Sequence, residues 1–98
     1  MPYINESARL ELDDCIDNMV ECLTHNNEVT NEEFTALLGE INYCFSRILA
    51  KSMGTTSYSK IAMITGVLEN VKQEFYRRIA TSYEEKKIVE NGDIKEYR

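Results

Sequence analysis

The sequence predicts an all-α protein: an antiparallel hairpin of two long helices, a shorter N-terminal helix against one side of it, and a small C-terminal β-hairpin or extended tail. Apolar residues recur three and four positions apart through most of the 98 residues, which is the spacing of helices with one buried face. The only proline is Pro2, so no proline interrupts a helix. A chain of this length is expected to form one domain, residues 1–98, around one modest core.

The first helix is predicted over residues 6–24. Asn5 can cap its N-terminus, and residues 10–12 either continue the first turns or bend into the stretch that follows. That stretch carries an apolar stripe at helical spacing, formed by Leu12, Cys15, Ile16, Met19, Val20 and Leu23. The polar run from His25 to Asn27 is expected to end the helix.

The second helix, predicted over residues 31–51, has the strongest local signals. Thr30 and Glu33 form a capping box, in which the threonine hydroxyl accepts from the Glu33 backbone N–H and the carboxylate reaches back. The apolar stripe behind this cap consists of Phe34, Leu37, Leu38, Ile41, Cys44, Phe45, Ile48 and Leu49. Gly54 is expected to end the helix.

The third helix is predicted over residues 57–80, with a cap from the hydroxyls of the preceding loop. Its apolar stripe consists of Ile61, Ile64, Leu68, Val71, Phe75 and Ile79. The second and third helices each measure roughly 30 to 35 Å, about the diameter of a domain of this size, so a short connection between them predicts an antiparallel hairpin. One apolar side of that hairpin is left uncovered, which predicts self-association into at least a dimer.

The tail, residues 84–98, is predicted to leave the helix. Two short stretches, 86–90 and 93–97, flank the pair Asn91-Gly92, which is typical of a tight β-hairpin turn. An isolated hairpin is marginally stable. The tail is therefore expected to be ordered where it rests on the helices or on a partner chain.

The net charge of −6 is unevenly distributed. Residues 1–42 carry ten acids against Arg9 alone, a net charge of −9, whereas residues 43–83 carry six bases against Glu69 and Glu74, a net charge of +4. Such opposed segments favour packing of one segment on the other, or of one subunit on another. Binding to duplex nucleic acid is disfavoured because most of the surface would repel phosphate.

Cysteine and histidine are too few and too scattered to predict a metal site or a catalytic site. Cys15, Cys22 and Cys44 are an odd number without a close pair, which favours free thiols in a reducing compartment. The single histidine, His25, lies in a predicted loop, so neither a four-ligand zinc site nor a nucleophile–histidine pair is expected. No enzyme activity, cofactor or metal is therefore predicted.

No apolar run approaches the length of a membrane span, and residues 1–6 do not follow the basic-then-apolar order of a secretory signal, so neither a membrane span nor a signal is expected. The predicted location is therefore the cytoplasm.

A polar strip beside the apolar stripe of the third helix is the candidate ligand site. This tyrosine–lysine strip consists of Tyr58, Thr65, Glu69, Lys72 and Tyr76, which lie on one side of the predicted helix at helical spacing. The tyrosines could stack on a ligand, and Lys72 could neutralise an anionic group. The alternative is an ordinary amphipathic border that contains a Glu69–Lys72 ion pair.

Further candidate residues lie at the two ends of the third helix. Arg77, Arg78 and Tyr83 follow the strip, and the arginines could neutralise phosphate. At the other end, Thr55, Thr56 and Ser57 form a loop that could hold phosphate at the helix N-terminus, although an ordinary helix cap explains the loop equally well. Oligomerisation could gather the two arginines and Lys51 of different subunits around one composite pocket.

The C-terminal half resembles a group of short uncharacterised proteins of tailed bacteriophages and prophages. The residues that carry the resemblance read G-V-L-E at 66–69, Y-R-R at 76–78, Y-E at 83–84 and E-N-G-D at 90–93. Ser82 stands where that group usually has proline, which leaves the geometry of the tail open. The resemblance implies a bacterial host and action in its cytoplasm during infection.

Small helical phage oligomers of this kind are similar in outline to sponges that sequester cyclic oligonucleotide or cyclic ADP-ribose signals of host immunity. The predicted function is therefore non-enzymatic binding and sequestration of a small anionic, nucleotide-like host signal by a homo-oligomer, an anti-defence role. The alternative is a protein–protein interaction module that docks a host or phage protein through its helix face and C-terminal tail.

Overall fold

The computed structural model describes residues 3–98, and the regular secondary structure in that range is helical throughout, so the all-α prediction is confirmed. The elements are α1 (Glu6–Thr24), α2 (Asn31–Met53), α3 (Tyr58–Phe75), a π turn (Tyr76–Ala80), α4 (Thr81–Asn91) and a 3₁₀ turn (Lys95–Tyr97). The chain divides into two compact units, an N-terminal unit of Met1–Thr55 and a C-terminal unit of Thr56–Arg98.

In the N-terminal unit, α1 is one continuous helix, without the bend considered for residues 10–12. The Asn5 side-chain oxygen accepts a hydrogen bond from the backbone N–H of Ala8 at 3.0 Å, as the predicted cap requires. The helix ends at His25, which adopts a left-handed conformation with φ 54° and donates its backbone N–H to the Glu21 carbonyl at 2.7 Å.

Local signals also set the ends of α2. The Thr30 hydroxyl accepts from the Glu33 backbone N–H at 3.2 Å and donates to the Glu33 carboxylate at 3.0 Å. The capping pair is therefore present, although the carboxylate binds the threonine hydroxyl rather than the threonine backbone. Gly54 ends the helix with φ 66°, a value that favours glycine, so its predicted role is confirmed.

The core of the N-terminal unit is thin. Helices α1 and α2 are in contact, and the Cys44 thiol lies 3.7 Å from the Met19 sulfur. Leu37 is 8% exposed and is the only buried side chain among residues 3–98. Its neighbours on the same stripe, Phe34 and Leu38, remain about half exposed. The buried core of this unit therefore consists of one leucine side chain with partly exposed residues around it.

The C-terminal unit is built on one long helix of 34 residues, Tyr58 to Asn91, in which α3, the π turn and α4 are continuous. The Ser57 hydroxyl caps it by accepting from the Lys60 backbone N–H at 3.3 Å. The long helix therefore begins where the sequence predicts and continues well beyond residue 80.

The predicted β-hairpin is wrong: the described tail contains α4 and a 3₁₀ turn in its place. Asn91 is the last residue of α4, and Gly92, with φ 80°, donates its backbone N–H to the Ile88 carbonyl at 2.7 Å. The Asn-Gly pair thus ends a helix. A hairpin turn and a helix end both use the positive φ of glycine. The helix is the more stable of the two here because each added residue extends an existing ladder of backbone hydrogen bonds.

An exposed apolar stripe runs along α3. This α3 stripe consists of Ile61, Ile64, Leu68, Val71 and Phe75. Leu68 is 42% exposed and Phe75 is 65% exposed, and no second helix in the C-terminal unit lies over the stripe. An amphipathic helix gains most of its stability by burying such a face.

Candidate functional site

The tyrosine–lysine strip forms one continuous face of α3. Since α3 is a regular α-helix up to Phe75, spacings of 7, 4, 3 and 4 residues place Tyr58, Thr65, Glu69, Lys72 and Tyr76 on the same side. All five side chains are exposed, and Tyr58 is 87% exposed. The structure therefore places these five predicted site residues on one side of the helix, spread over roughly 27 Å of its axis.

Within the strip, Lys72 is paired with an acid of its own helix. Its Nζ atom lies 3.8 Å from Oε1 of Glu69, and its side chain is 77% exposed. The same Glu69 oxygen accepts a hydrogen bond from the Gln73 amide at 3.1 Å. This is the ion pair of the amphipathic-border interpretation, and exposed pairs of this kind contribute little to stability.

Arg77 and Arg78 do not extend the strip. Residues one and two positions after Tyr76 point to other sides of the helix. Both guanidinium groups bind the carboxylate of Glu74, and the Nε atom of Arg78 lies 3.2 Å from Oε1 of that residue. An anionic ligand would therefore have to compete with an acid already bound to both arginines.

The π turn explains an unexpected hydrogen bond. The backbone N–H of Thr81 donates to the carbonyl of Tyr76, five residues earlier, so the helix accommodates one extra residue at this point. In a regular α-helix, residues eight apart differ by roughly 80° around the axis; the extra residue removes most of that difference. As a result, the Tyr76 hydroxyl reaches Glu84 and donates to its Oε1 at 3.2 Å.

The same turn changes the position of Tyr83. Seven residues after Tyr76, it would lie nearly in line with that residue in a regular helix, but the extra residue rotates it roughly 100° away. The Nζ atom of Lys87 lies 5.5 Å from the centre of the Tyr83 ring and 3.1 Å from the Glu90 carboxylate. Tyr83 thus interacts with a lysine that is itself paired.

The hydrogen bond with Glu84 gives Tyr76 a measurable pH response. This bond, with the negative charge of the carboxylate, raises the pKa of Tyr76 above its ordinary value. Because the bond favours the neutral phenol, its contribution to folding is fully present below the ordinary tyrosine pKa of about 10 and is lost as the pH rises through the higher folded-state pKa.

We expect Glu84→Gln to return the pKa of Tyr76 toward the ordinary tyrosine range, because the charged acceptor is removed. An ultraviolet titration of the six tyrosines, compared with the same titration of Tyr76→Phe, isolates the transition of this one phenol. Glu85→Gln is the matched control and should leave the titration unchanged. Identical curves for Glu84→Gln and the wild type would contradict the hydrogen bond between Tyr76 and Glu84.

The loop before α3 is explained as a helix cap. Ser57 supplies the cap described above, and a hydroxyl used in this way satisfies one of the free N–H groups that a phosphate would otherwise bind. Phosphate binding by Thr55, Thr56 and Ser57 stays a prediction.

A cationic patch that the sequence analysis missed lies on α2. Tyr43, Arg47 and Lys51 recur every four residues, and with Ser46 and Ala50 they line a shallow cavity of about 470 Å³. Arg47 lies against Tyr43, with its guanidinium carbon 5.9 Å from the ring centre and Nη1 3.4 Å from the hydroxyl. The four-residue spacing is visible in the sequence, but Tyr43, Arg47 and Lys51 do not belong to the apolar stripe that predicts the helix.

No three His, Cys, Asp or Glu side chains among residues 3–98 are grouped so that they could hold a metal ion. In the same range, no helix combines the length and the hydropathy of a membrane span.

These features define the class: a helical protein whose charged and aromatic groups lie exposed on helix faces and whose apolar stripes are largely uncovered. The chain belongs to the family DUF6899, a domain of unknown function, whose family model matches residues 1–94. No curated protein and no solved structure matches the chain. Membership thus extends over nearly the whole chain, and the match does not show a phage origin.

Proposed function

We propose that this protein is a non-enzymatic interaction module that assembles with copies of itself and docks a further protein on its helix faces. The observation that supports the proposal best is the exposure of apolar side chains on all three long helices. Ile16 of α1, Phe45 of α2 and Phe75 of α3 are each more than half exposed. Uncovered apolar faces of this extent mark surfaces that bind protein.

Covering these faces would supply the stability that the described core lacks. Burying the exposed half of one large apolar side chain is worth about 1 kcal/mol, so about five to fifteen such residues would match the whole stability of a small domain, about 5 to 15 kcal/mol. The opposed charges of residues 1–42 and 43–83 add a preference for pairing acidic with basic surfaces. The predicted antiparallel pairing of the two long helices is part of this proposal.

The proposal is tested by the mass of the wild-type protein in solution, measured by light scattering and sedimentation equilibrium over about a hundredfold range of concentration. We expect a multiple of 11.4 kDa that decreases on dilution. A mass of one chain at every concentration would contradict the homo-oligomer.

Sequestration of a small anionic, nucleotide-like signal is a second proposal. It is supported by the shared face of Tyr58, Lys72 and Tyr76, where exposed rings could stack on a base beside a cation. The pairing of Lys72 with Glu69, and of both arginines with Glu74, opposes it because a ligand must displace those carboxylates. A phage origin, an anti-defence role and action in the cytoplasm of a bacterial host belong to this proposal.

Thermal melting with cyclic dinucleotides, cyclic ADP-ribose isomers and NAD tests this second proposal. A true ligand at a hundred times its dissociation constant should stabilise the wild type by about 2.7 kcal/mol. The variant Lys72→Ala should lose that stabilisation, whereas Lys86→Ala, a matched removal of a lysine in α4, should keep it. If no compound changes the melting temperature of the wild type, sequestration is contradicted and the interaction-module proposal stands.

A further inference from the structure

The outward side of α2 carries an exposed surface that its apolar stripe does not use. We call it the α2 outer face; it consists of Ala36, Gly39, Glu40, Tyr43, Ser46, Arg47 and Ala50, all exposed. On a helical wheel these residues centre opposite Leu37 and its neighbours. The face therefore remains available when the apolar stripe packs against α1.

The order of residues on the α2 outer face is self-complementary. Counted from Tyr43, the face has residues at three, four and seven positions in both directions. If two copies of this helix lie antiparallel about a two-fold axis at Tyr43, Ala36 faces Ala50 and Gly39 faces Arg47. A Cβ built on Gly39 meets no atom within 4 Å, so the arginine of a second copy has open space at this position.

The charges have the same symmetry. Glu40 lies on one side of Tyr43 and Arg47 on the other, and in the antiparallel arrangement the Arg47 of each copy lies beside the Glu40 of the other. Neither side chain has an ion-pair partner within 4 Å among residues 3–98. The two residues are about 10 Å apart along the axis of their own helix, so a second copy offers each an ion-pair partner that residues 3–98 of its own chain do not.

We propose that the α2 outer face is a two-fold interface between two copies of this chain, held by two reciprocal Arg47–Glu40 ion pairs on either side of Tyr43. The proposal rests on the proposed self-assembly and specifies one surface and one partner for it. Small side chains at positions 36, 39, 46 and 50 allow the two helices to approach closely.

A second copy fits this surface better than a small anion does. Small-molecule sites are concave and bury most of the ligand, whereas the cavity beside Tyr43 and Arg47 is shallow and lined by one side of one helix. Glu40 on the same face would repel an anion, but it is the group that the Arg47 of a second copy requires.

Charge reversal tests the interface. We expect Glu40→Arg and Arg47→Glu each to raise, by about tenfold or more, the concentration at which the assembly forms, because each variant places like charges together at both ends of the two-fold contact. The double variant E40R/R47E should restore assembly. A mixture of the two single variants should also assemble, since one then carries two bases and the other two acids.

Glu85→Arg and Lys86→Glu are matched controls, because they make the same charge changes on α4, and they should assemble like the wild type. Circular dichroism of every variant confirms that the helices remain intact. Assembly should also weaken in 1 M salt, where the Debye length is about 3 Å.

Single reversals that leave wild-type assembly unchanged, or a double variant that fails to assemble, would overturn the interface while the proposed self-assembly stands. Weakening by Arg47→Glu alone, with Glu40→Arg unaffected, would also overturn it, since an acidic surface such as that of α1 would then be the occupant. A wild type that is monomeric at all concentrations would overturn both proposals.

Discussion

Replacement of Leu37 by alanine is expected to destabilise the protein by about 2 to 3 kcal/mol, the lower part of the range for buried leucines. The physical reason is the loss of apolar contact at the only buried side chain among residues 3–98. The neighbours on its stripe are half exposed and can move into the space, so the cavity term is small. Urea unfolding monitored by circular dichroism, at one fixed protein concentration, measures the change.

Leu10→Ala is the matched control for this prediction. It makes the same chemical change on α1 at a side chain that is 64% exposed and faces away from the apolar stripe of that helix. Its effect should stay within about 0.5 kcal/mol. Equal losses for the two variants would contradict the assignment of Leu37 to the core.

The second large effect is expected for Phe75→Ala. In the single chain Phe75 is 65% exposed, and truncation of such a residue should cost little. If self-assembly covers the α3 stripe, the same truncation removes a buried aromatic ring and should cost about 3 to 5 kcal/mol for each chain. We expect the larger value, with a melting temperature that falls on dilution and a lower solution mass.

Tyr76→Ala provides the comparison. The exposed fraction of Tyr76, 57%, is similar to that of Phe75, but Tyr76 belongs to the tyrosine–lysine strip and not to the α3 stripe. If only exposure in the single chain matters, the two variants should lose similar, small amounts of stability. If assembly covers the α3 stripe, only Phe75→Ala should lose a large amount of stability. Similar small losses would contradict assembly on the stripe. A large loss from Phe75→Ala in a protein that is always monomeric would instead mean that the stripe is covered from within the chain.

The helix ends illustrate how far sequence reasoning reaches. Asn5, Thr30 and Ser57 cap the three helices as expected, because a cap is a hydrogen bond between a side chain and a backbone group three residues away. The stop at Gly54 follows from the positive φ that glycine adopts easily. None of these depends on distant parts of the chain.

The tail shows where such reasoning fails. Asn91 and Gly92 suit both a hairpin turn and a helix end, and the local sequence does not distinguish the two. The π turn adds a second difficulty, since a wheel drawn at 100° per residue assumes that no residue is inserted. Beyond Tyr76, a regular wheel therefore assigns side chains to the wrong face of the helix. It does not place Glu84 on the side of Tyr76, so the hydrogen bond between them is not predicted.

The candidate site was partly accessible to the same reasoning. The strip from Tyr58 to Tyr76 and the Glu69–Lys72 pair follow from regular spacing within one α-helix. The binding of Arg77 and Arg78 to Glu74 follows the same three- and four-residue rule, but it was missed because the arginines were assigned to a ligand. The α2 outer face was missed because it contains no apolar stripe.

By itself, the sequence determined the helical class, the positions of the caps and the composition of each helix face, because all three depend on interactions within about four residues. The tertiary structure alone decided that the tail is helical, that an extra residue rotates α4 against α3 and that Leu37 is buried while Phe75 is not. The physical reason differs between these features: burial depends on contacts between residues far apart in the chain, whereas the helical tail and the inserted residue depend on the backbone hydrogen bonds that continue the preceding helix, and the side-chain pattern specifies neither.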